Sequence, residues 1–308
     1  MANAALLALS RRDGILRAIT RLPVTRSVVD RFVAGETDES VVAAVRALHE
    51  RNLLTTIDRL GEDVDDRERA DATAAAYVEL LTRLGDAGLV PDSEVSLKLS
   101  AMGQHLPGQG SDVALANARR VCAAAQSVGT TVSVDMEDHT TVDATLSTVH
   151  ELRQDFPWVA VAIQAALKRT ENDLRDLAVA GSRVRLVKGA YAEPASVAHV
   201  KKAEVDASYA RGIAILMAGA GYPQIGTHDP AMITRAEALA AEHGRDSASF
   251  EFQMLYGIRT DEQARLRAAG RQVRVYVPYG SDWYGYFVRR LAERPANVGF
   301  LARALVGR

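Results

Sequence analysis

The sequence predicts an α/β protein closed into a (β/α)8 barrel of the TIM class, on three observations. Eight short runs rich in β-branched or alternating apolar residues recur from residue 52 onward. A segment with helical apolar spacing follows each run, and such strict alternation makes the strands parallel. No G-x-G-x-x-G follows an early strand, which weighs against the open doubly wound sheet, and eight units over about 250 residues suit a closed barrel.

The strands are expected at residues 52–58, 94–101, 130–137, 159–167, 183–191, 223–229, 249–255 and 272–280. Tyr77, Val78, Leu80, Leu81 and Leu84 form an apolar helical stripe that Gly85 and Gly88 are expected to close. Further helices are expected at 113–125, 142–152, 174–180, 200–217, 232–241 and 261–269. Residues 1–50 read as a helical segment, with Thr37 as an N-cap and Asp38 and Glu39 in the first turn before Val41. The expected organisation is therefore an N-terminal helical segment, 1–50, and a catalytic barrel, 51–308.

Composition sets the outer bounds. The 308 residues are 48% hydrophobic and 25% charged, the balance of a globular protein with ample core. Thirty-seven Lys and Arg against 39 Asp and Glu leave a net charge of −2, with no global footprint for nucleic acid. A single cysteine, Cys122, excludes an intrachain disulfide. No apolar run reaches the roughly 18 residues of a membrane span, and the opening residues lack a basic signal segment. A cytoplasmic protein is expected.

In such a barrel, chemistry sits where strands end, and here those ends are polar. Strand one runs into Asp58, Arg59 and Glu62; strand two carries Ser96, Lys98 and Ser100 on one face. Strand three carries Ser133, Asp135 and Glu137, strand four Gln164, and strand five Arg185 and Lys188 before Gly189 and Tyr191. Strand six ends in Thr227 and His228; strands seven and eight bring Glu251, Gln253, Leu255, Tyr276 and Tyr279. Lys98 and Asp135 could form a buried packing pair, but a buried lysine is rare without a partner, so they read more readily as site residues. Lys98 or Lys188 could also serve as a Schiff-base lysine, making the chain a lyase or aldolase, and a non-catalytic binding barrel stays open as well. No metal is expected, since no H-E-x-x-H or similar ligand spacing is present. After strand eight, residues 282–290 read as a helix on which Arg289 and Arg290 can approach one small anion from two sides, with Tyr286 on the same face.

Seven stretches, one near each of seven strand ends, carry a resemblance to a known family. They are Leu60-Gly61-Glu62, Ser96-Leu97-Lys98-Leu99-Ser100-Ala101, Val134-Asp135-Met136-Glu137, and Ile163-Gln164-Ala165 with Lys168-Arg169. The others are Arg185-Leu186-Val187-Lys188-Gly189-Ala190-Tyr191, Phe250-Glu251-Phe252-Gln253-Met254-Leu255-Tyr256-Gly257, and Tyr276-Val277-Pro278-Tyr279-Gly280 leading to Arg289-Arg290. In these the chain resembles the proline dehydrogenases, specifically the short monofunctional bacterial type. The resemblance spans residues 55–297 and leaves the first fifty outside it.

The resemblance implies a distorted barrel with its last helix over the mouth, a flavin (FAD, with FMN as the alternative) and oxidation of L-proline to Δ1-pyrroline-5-carboxylate. It also implies a membrane quinone as electron acceptor, hence peripheral contact with the inner face of the plasma membrane. By matching position, Lys98, Arg289 and Arg290 would hold the substrate carboxylate, with Asp135 beside Lys98. Leu255, Tyr276 and Tyr286 would pack the pyrrolidine ring, and Glu62 would pair with Arg289 as a gate. Arg185 would lie at flavin N5, with Asp135, Gln164, Lys188, Gly189, Tyr191, Thr227 and His228 also toward the cofactor. Lys98, Asp135, Arg185 and Tyr276 are thus the expected catalytic set. Three cations around one carboxylate are expected to lower the pKa of the bound amine. Residues 1–50 could cover the barrel or join copies into a homo-oligomer; the sequence does not choose.

Overall fold

In a computed structural model, which describes residues 29–287, the eight predicted strands are all present. They are β1 (Leu54–Arg59), β2 (Ser93–Leu97), β3 (Val132–Val134), β4 (Ala160–Gln164), β5 (Arg183–Val187), β6 (Tyr222–Gly226), β7 (Glu251–Leu255) and β8 (Val273–Tyr279). Each pairs in parallel with the next, and β8 closes on β1 from Leu54 opposite Arg274 to Arg59 opposite Tyr279. The helices are α1 (Asp38–His49) before the barrel, then α2 (Arg67–Asp86), α3 (Gly110–Val128), α4 (Val142–Asp155), α5 (Thr170–Leu177), α6 (Lys202–Ala218), α7 (Pro230–Glu242) and α8 (Thr260–Ala268).

Helix starts follow local chemistry. Thr37 caps α1: its Oγ1 accepts the Ser40 N–H at 3.3 Å, and Ser40 Oγ accepts the Thr37 N–H at 3.2 Å. The apolar face Val41, Val45 and Leu48 is buried in the same core as Leu53 and Ile57 of the barrel. Asp66 caps α2 by accepting the Arg69 N–H at 2.9 Å. That helix runs through Gly85, expected to close it, and stops before Gly88, whose φ of +66° only glycine adopts cheaply.

Strand ends differ more from expectation than strand starts. β2 stops at Leu97 rather than residue 101, β3 at Val134 rather than 137, and β5 at Val187 rather than 191. Beyond those points the pairing lapses, so Lys98, Glu137 and Lys188 lie on loop backbone. The polar residues that looked like strand continuations belong to the βα turns.

Two environments follow from the period-two alternation of the strands. Outward residues such as Val95, Leu97, Val134, Ile163, Leu186, Ile225, Phe252, Val275 and Val277 are buried beneath the helices and form the apolar core. Inward residues are polar instead of the usual branched aliphatics. Glu94 accepts from Thr56 Oγ1 and Thr131 Oγ1, both at 2.8 Å, and from Arg183 Nη2 at 3.0 Å. Arg274 Nε lies 2.8 Å from Glu251 and 3.7 Å from Glu94. Burial alone would raise the Glu94 pKa; the guanidiniums of Arg274, Arg183 and Arg185 overcome it and hold the carboxyl well below the usual carboxylate range.

A second apolar cluster sits at the mouth. Val29, Phe32 and Val33 pack with Leu60, Tyr286 and Phe287. Backbone bonds fix this approach: the Ala34 N–H donates to Pro278 O at 2.8 Å and the Gly280 N–H to Gly35 O at 3.0 Å. A Cβ on Gly257 would fall 1.8 Å from Arg31 O, so only glycine admits the crossing chain. Residues 283–287 are helical directly after β8, as expected, and bring Tyr286 over the mouth.

Candidate active site

A cavity of about 590 Å³ opens at the C-terminal ends of the strands. Lys98, Asp135, Gln164, Arg185, Lys188 and Gly189 line it, as do Tyr191, Thr227, His228, Leu255, Tyr276 and Tyr286. These are twelve of the expected site residues. Glu62 is not in its lining, and Arg289 and Arg290 lie outside the described residues, so the Glu62–Arg289 gate does too.

Asp135 is the hub. It accepts from Ser96 Oγ at 2.8 Å, from Tyr276 OH at 2.6 Å and from Arg185 Nη1. The Tyr276 phenol is buried, and the carboxylates of Asp135 and Asp58 add to that, so its pKa rises well above the ordinary value. Tyr276 is therefore a neutral donor at working pH. The Arg185 guanidinium carbon lies 5.3 Å from the Tyr276 ring centroid, so one carboxylate fixes two groups that touch each other.

Lys98 has a nearer partner than the Asp135 weighed from the sequence. Its Nζ donates to both oxygens of Asp58, at 2.9 and 2.8 Å, and stands 3.9 Å from Asp135. The sequence marks Asp58 as a polar strand-end residue without assigning it a role; it alternates with Thr56 on the inward face of β1. Burial disfavours the Lys98 cation, but Asp58 and Asp135 outweigh it and raise its pKa, so the amine is charged. A Schiff-base lysine must be neutral to attack, and Lys98 is thus poorly placed for one. Lys188 is no better placed, since its Nζ donates to Asp206 and, at 2.8 Å, to Asp229.

The opposite wall is unlike this one. Arg185 is held through Nη1, while its Nε and Nη2 have no hydrogen-bond partner among the described residues. Gln164 donates through Nε2 to Glu137 O, and its Oε1 is likewise buried without a partner. Gly189, at φ +108°, keeps that wall flat, because a Cβ there would meet Gln164 Oε1 at 3.0 Å and Ala166 Cβ at 3.2 Å. Nearby, His228 Nε2 accepts the Leu255 N–H at 2.9 Å, and Thr227 Oγ1 accepts the Asp229 N–H at 3.1 Å.

Comparisons with known proteins bear on this geometry. The family model described as proline dehydrogenase matches residues 41–303. A curated proline dehydrogenase of Deinococcus radiodurans is 41% identical over 282 residues, covering 91% of this chain and 90% of the relative. Proline dehydrogenase 2 of Bacillus subtilis is 36% identical over 294 residues, covering 96% and 95%. Among solved structures, proline utilization A from Bdellovibrio bacteriovorus superposes with a TM-score of 0.81 at 23% identity over 90% of this chain, which spans 34% of that larger one.

Proposed function

The chain belongs to the proline dehydrogenase family, and from that premise we propose that it oxidises L-proline to Δ1-pyrroline-5-carboxylate with a bound flavin, FAD by resemblance, and a quinone as final acceptor. One observation carries the cofactor reading: Arg185 and Gln164, which line the cavity, keep three buried polar atoms without a hydrogen-bond partner among the described residues. Each such atom costs about 1–3 kcal/mol unless an occupant satisfies it. An isoalloxazine edge, with ring nitrogen and carbonyl acceptors and an N–H donor, complements two arginine donors and one amide acceptor. The flat surface at Gly189 suits a planar ring. A flavin there supplies the hydride acceptor, its N5, and an exit for two electrons.

The residues of the chain bind and orient. Lys98, with Arg289 and Arg290, holds the substrate carboxylate, while Tyr276, Tyr286 and Leu255 enclose the ring. Fixing both ends holds the reacting carbon in place, and orientation of this kind is a large share of catalysis. Asp135 already accepts from Ser96, Arg185 and Tyr276, so it orients those groups. The described charges balance: Lys98 and Arg185 against Asp58 and Asp135 give 2 − 2 = 0. The positive excess that lowers the pKa of the bound amine therefore rests on Arg289 and Arg290, with Lys98 acting as half of an ion pair. Arg185, with donors toward the cofactor, favours its electron-rich reduced form. Glu62 closes on Arg289 when substrate is absent. Among the described residues no helix is long and apolar enough to cross a membrane, so access to a membrane quinone is peripheral in this reading.

The test is steady-state turnover of the flavin-loaded protein with L-proline and a soluble quinone analogue, the product being trapped as a pyrroline-5-carboxylate adduct. Quinone reduction matched one to one by trapped product is expected. Flavin-loaded protein that reduces no quinone with proline would contradict the proposal, and a borohydride-trapped lysine adduct would restore the lyase.

A further inference from the structure

We propose that Glu94, on β2 below the cavity, is a positioning residue that sets how much of the Arg185 charge the cofactor feels, and that Arg183 governs it. The inference rests on the reading above that Arg185 faces the flavin. Three guanidiniums, Arg183, Arg185 and Arg274, crowd one buried carboxylate. They do not share it equally. Glu94 Oε2 accepts from Arg183 and Thr131, and Oε1 accepts from Thr56. Arg185 Nη2 is left 3.9 Å from Oε1, too far for a hydrogen bond but close enough for strong attraction in a buried site.

That arrangement has a consequence for the site. Arg185 is anchored from above through Nη1 by Asp135 and Ser96. A free carboxylate below would capture Nη2 in a forked pair, the preferred geometry of arginine with a carboxylate, and spend its donors there. With Glu94 already engaged by Thr56, Thr131 and Arg183, the attraction steadies the guanidinium without consuming its N–H groups. Nε and Nη2 stay without a hydrogen-bond partner among the described residues. The interior is balanced as a whole: Arg183, Arg185 and Arg274 against Glu94, Glu251 and Asp135 give 3 − 3 = 0.

Two opposite substitutions follow. Glu94→Gln removes a negative charge beneath Arg185, so the reduced flavin is favoured and the midpoint potential rises. Arg183→Gln frees Glu94 to pair with Arg185, and the potential falls. A tenfold change in the ratio of reduced to oxidised flavin at fixed poise corresponds to about 30 mV for a two-electron couple, and shifts of at least that size are expected. Spectroelectrochemical titration of the purified holoenzymes reads both. A merely structural role would damage both variants alike, without opposite signs. Arg183 sits at the edge of the cluster, its side chain 15% exposed, and is the variant to rely on if Glu94→Gln does not fold. Potentials that stay at the wild-type value, or that move in one direction in both variants, would overturn the proposal. Wild-type protein that takes up no flavin would instead sink the reading beneath it.

Discussion

The lower barrel interior and the wall of its mouth treat their buried arginines differently. Below, Glu94, Glu251, Arg183 and Arg274 are all paired with opposite charges. At the mouth, Arg185 and Gln164 are as deeply buried yet keep polar atoms with no partner among the described residues. A buried charge network that is satisfied holds a fold together or keeps neighbours in place. A buried group left unsatisfied inside a cavity is a cost the fold carries for a ligand. The difference separates residues whose loss should unfold the protein from residues whose loss should empty or idle the site.

The sharpest way to break this division is from below. Glu251 accepts from Arg274 at 2.8 Å, Gln224 at 3.0 Å and Gln253 at 2.6 Å. Glu251→Leu removes the nearer of the two carboxylates beside Arg274, and removing one partner of a buried pair costs about 3–5 kcal/mol. Denaturant unfolding should show that loss, while flavin affinity of the folded fraction stays near wild type. A variant of normal stability that had lost flavin would place Glu251 in the site. Arg185→Met acts on the site itself. Loss of a donor aimed at developing charge typically lowers rates by about 10²–10³, so stopped-flow flavin reduction by the folded fraction should slow by that order.

Smaller effects refine the comparison. Gly189→Ala forces a side chain into a left-handed backbone position and against Gln164. Strain of about 1–3 kcal/mol is expected, read as a roughly tenfold or greater weakening of flavin binding in a fluorescence titration. Unchanged affinity would remove Gly189 from the cofactor wall. The mildest test uses pH. The folded Glu94 carboxyl lies below its ordinary value of 4.5. Its stabilisation is therefore complete above that value and is lost as pH falls through the lower folded one. Stability of Glu94→Gln should trail wild type at neutral pH and approach it in acid; a gap that is constant with pH would deny the linkage.

Much of this was legible in the sequence, for local reasons. Strand starts and the helix after each strand follow from hydrophobic period, and the Thr37 cap from a pattern three residues long. Strand ends did not, because alternation continues through Lys98 and Glu137 after pairing has ceased, and only the neighbouring strand decides that. The cavity residues were found as polar positions near strand ends and by resemblance. Asp58 was passed over as partner to Lys98 because their pairing spans 40 residues and depends on barrel register. Glu251 and Arg274 lie further down, in the interior network, although Glu251 read as a strand-end residue. The network from Glu94 to Arg183 links positions 89 apart, and no local pattern announces it.

The buried polar atoms of Arg185 and Gln164 at the mouth are expected to meet a flavin that takes electrons from proline. The most direct measurement is the visible absorption spectrum of the purified protein, recorded anaerobically before and after L-proline. Flavin bands that bleach on addition of proline are the predicted result. Bands that persist with proline, or a protein that stays colourless after incubation with FAD, would contradict it.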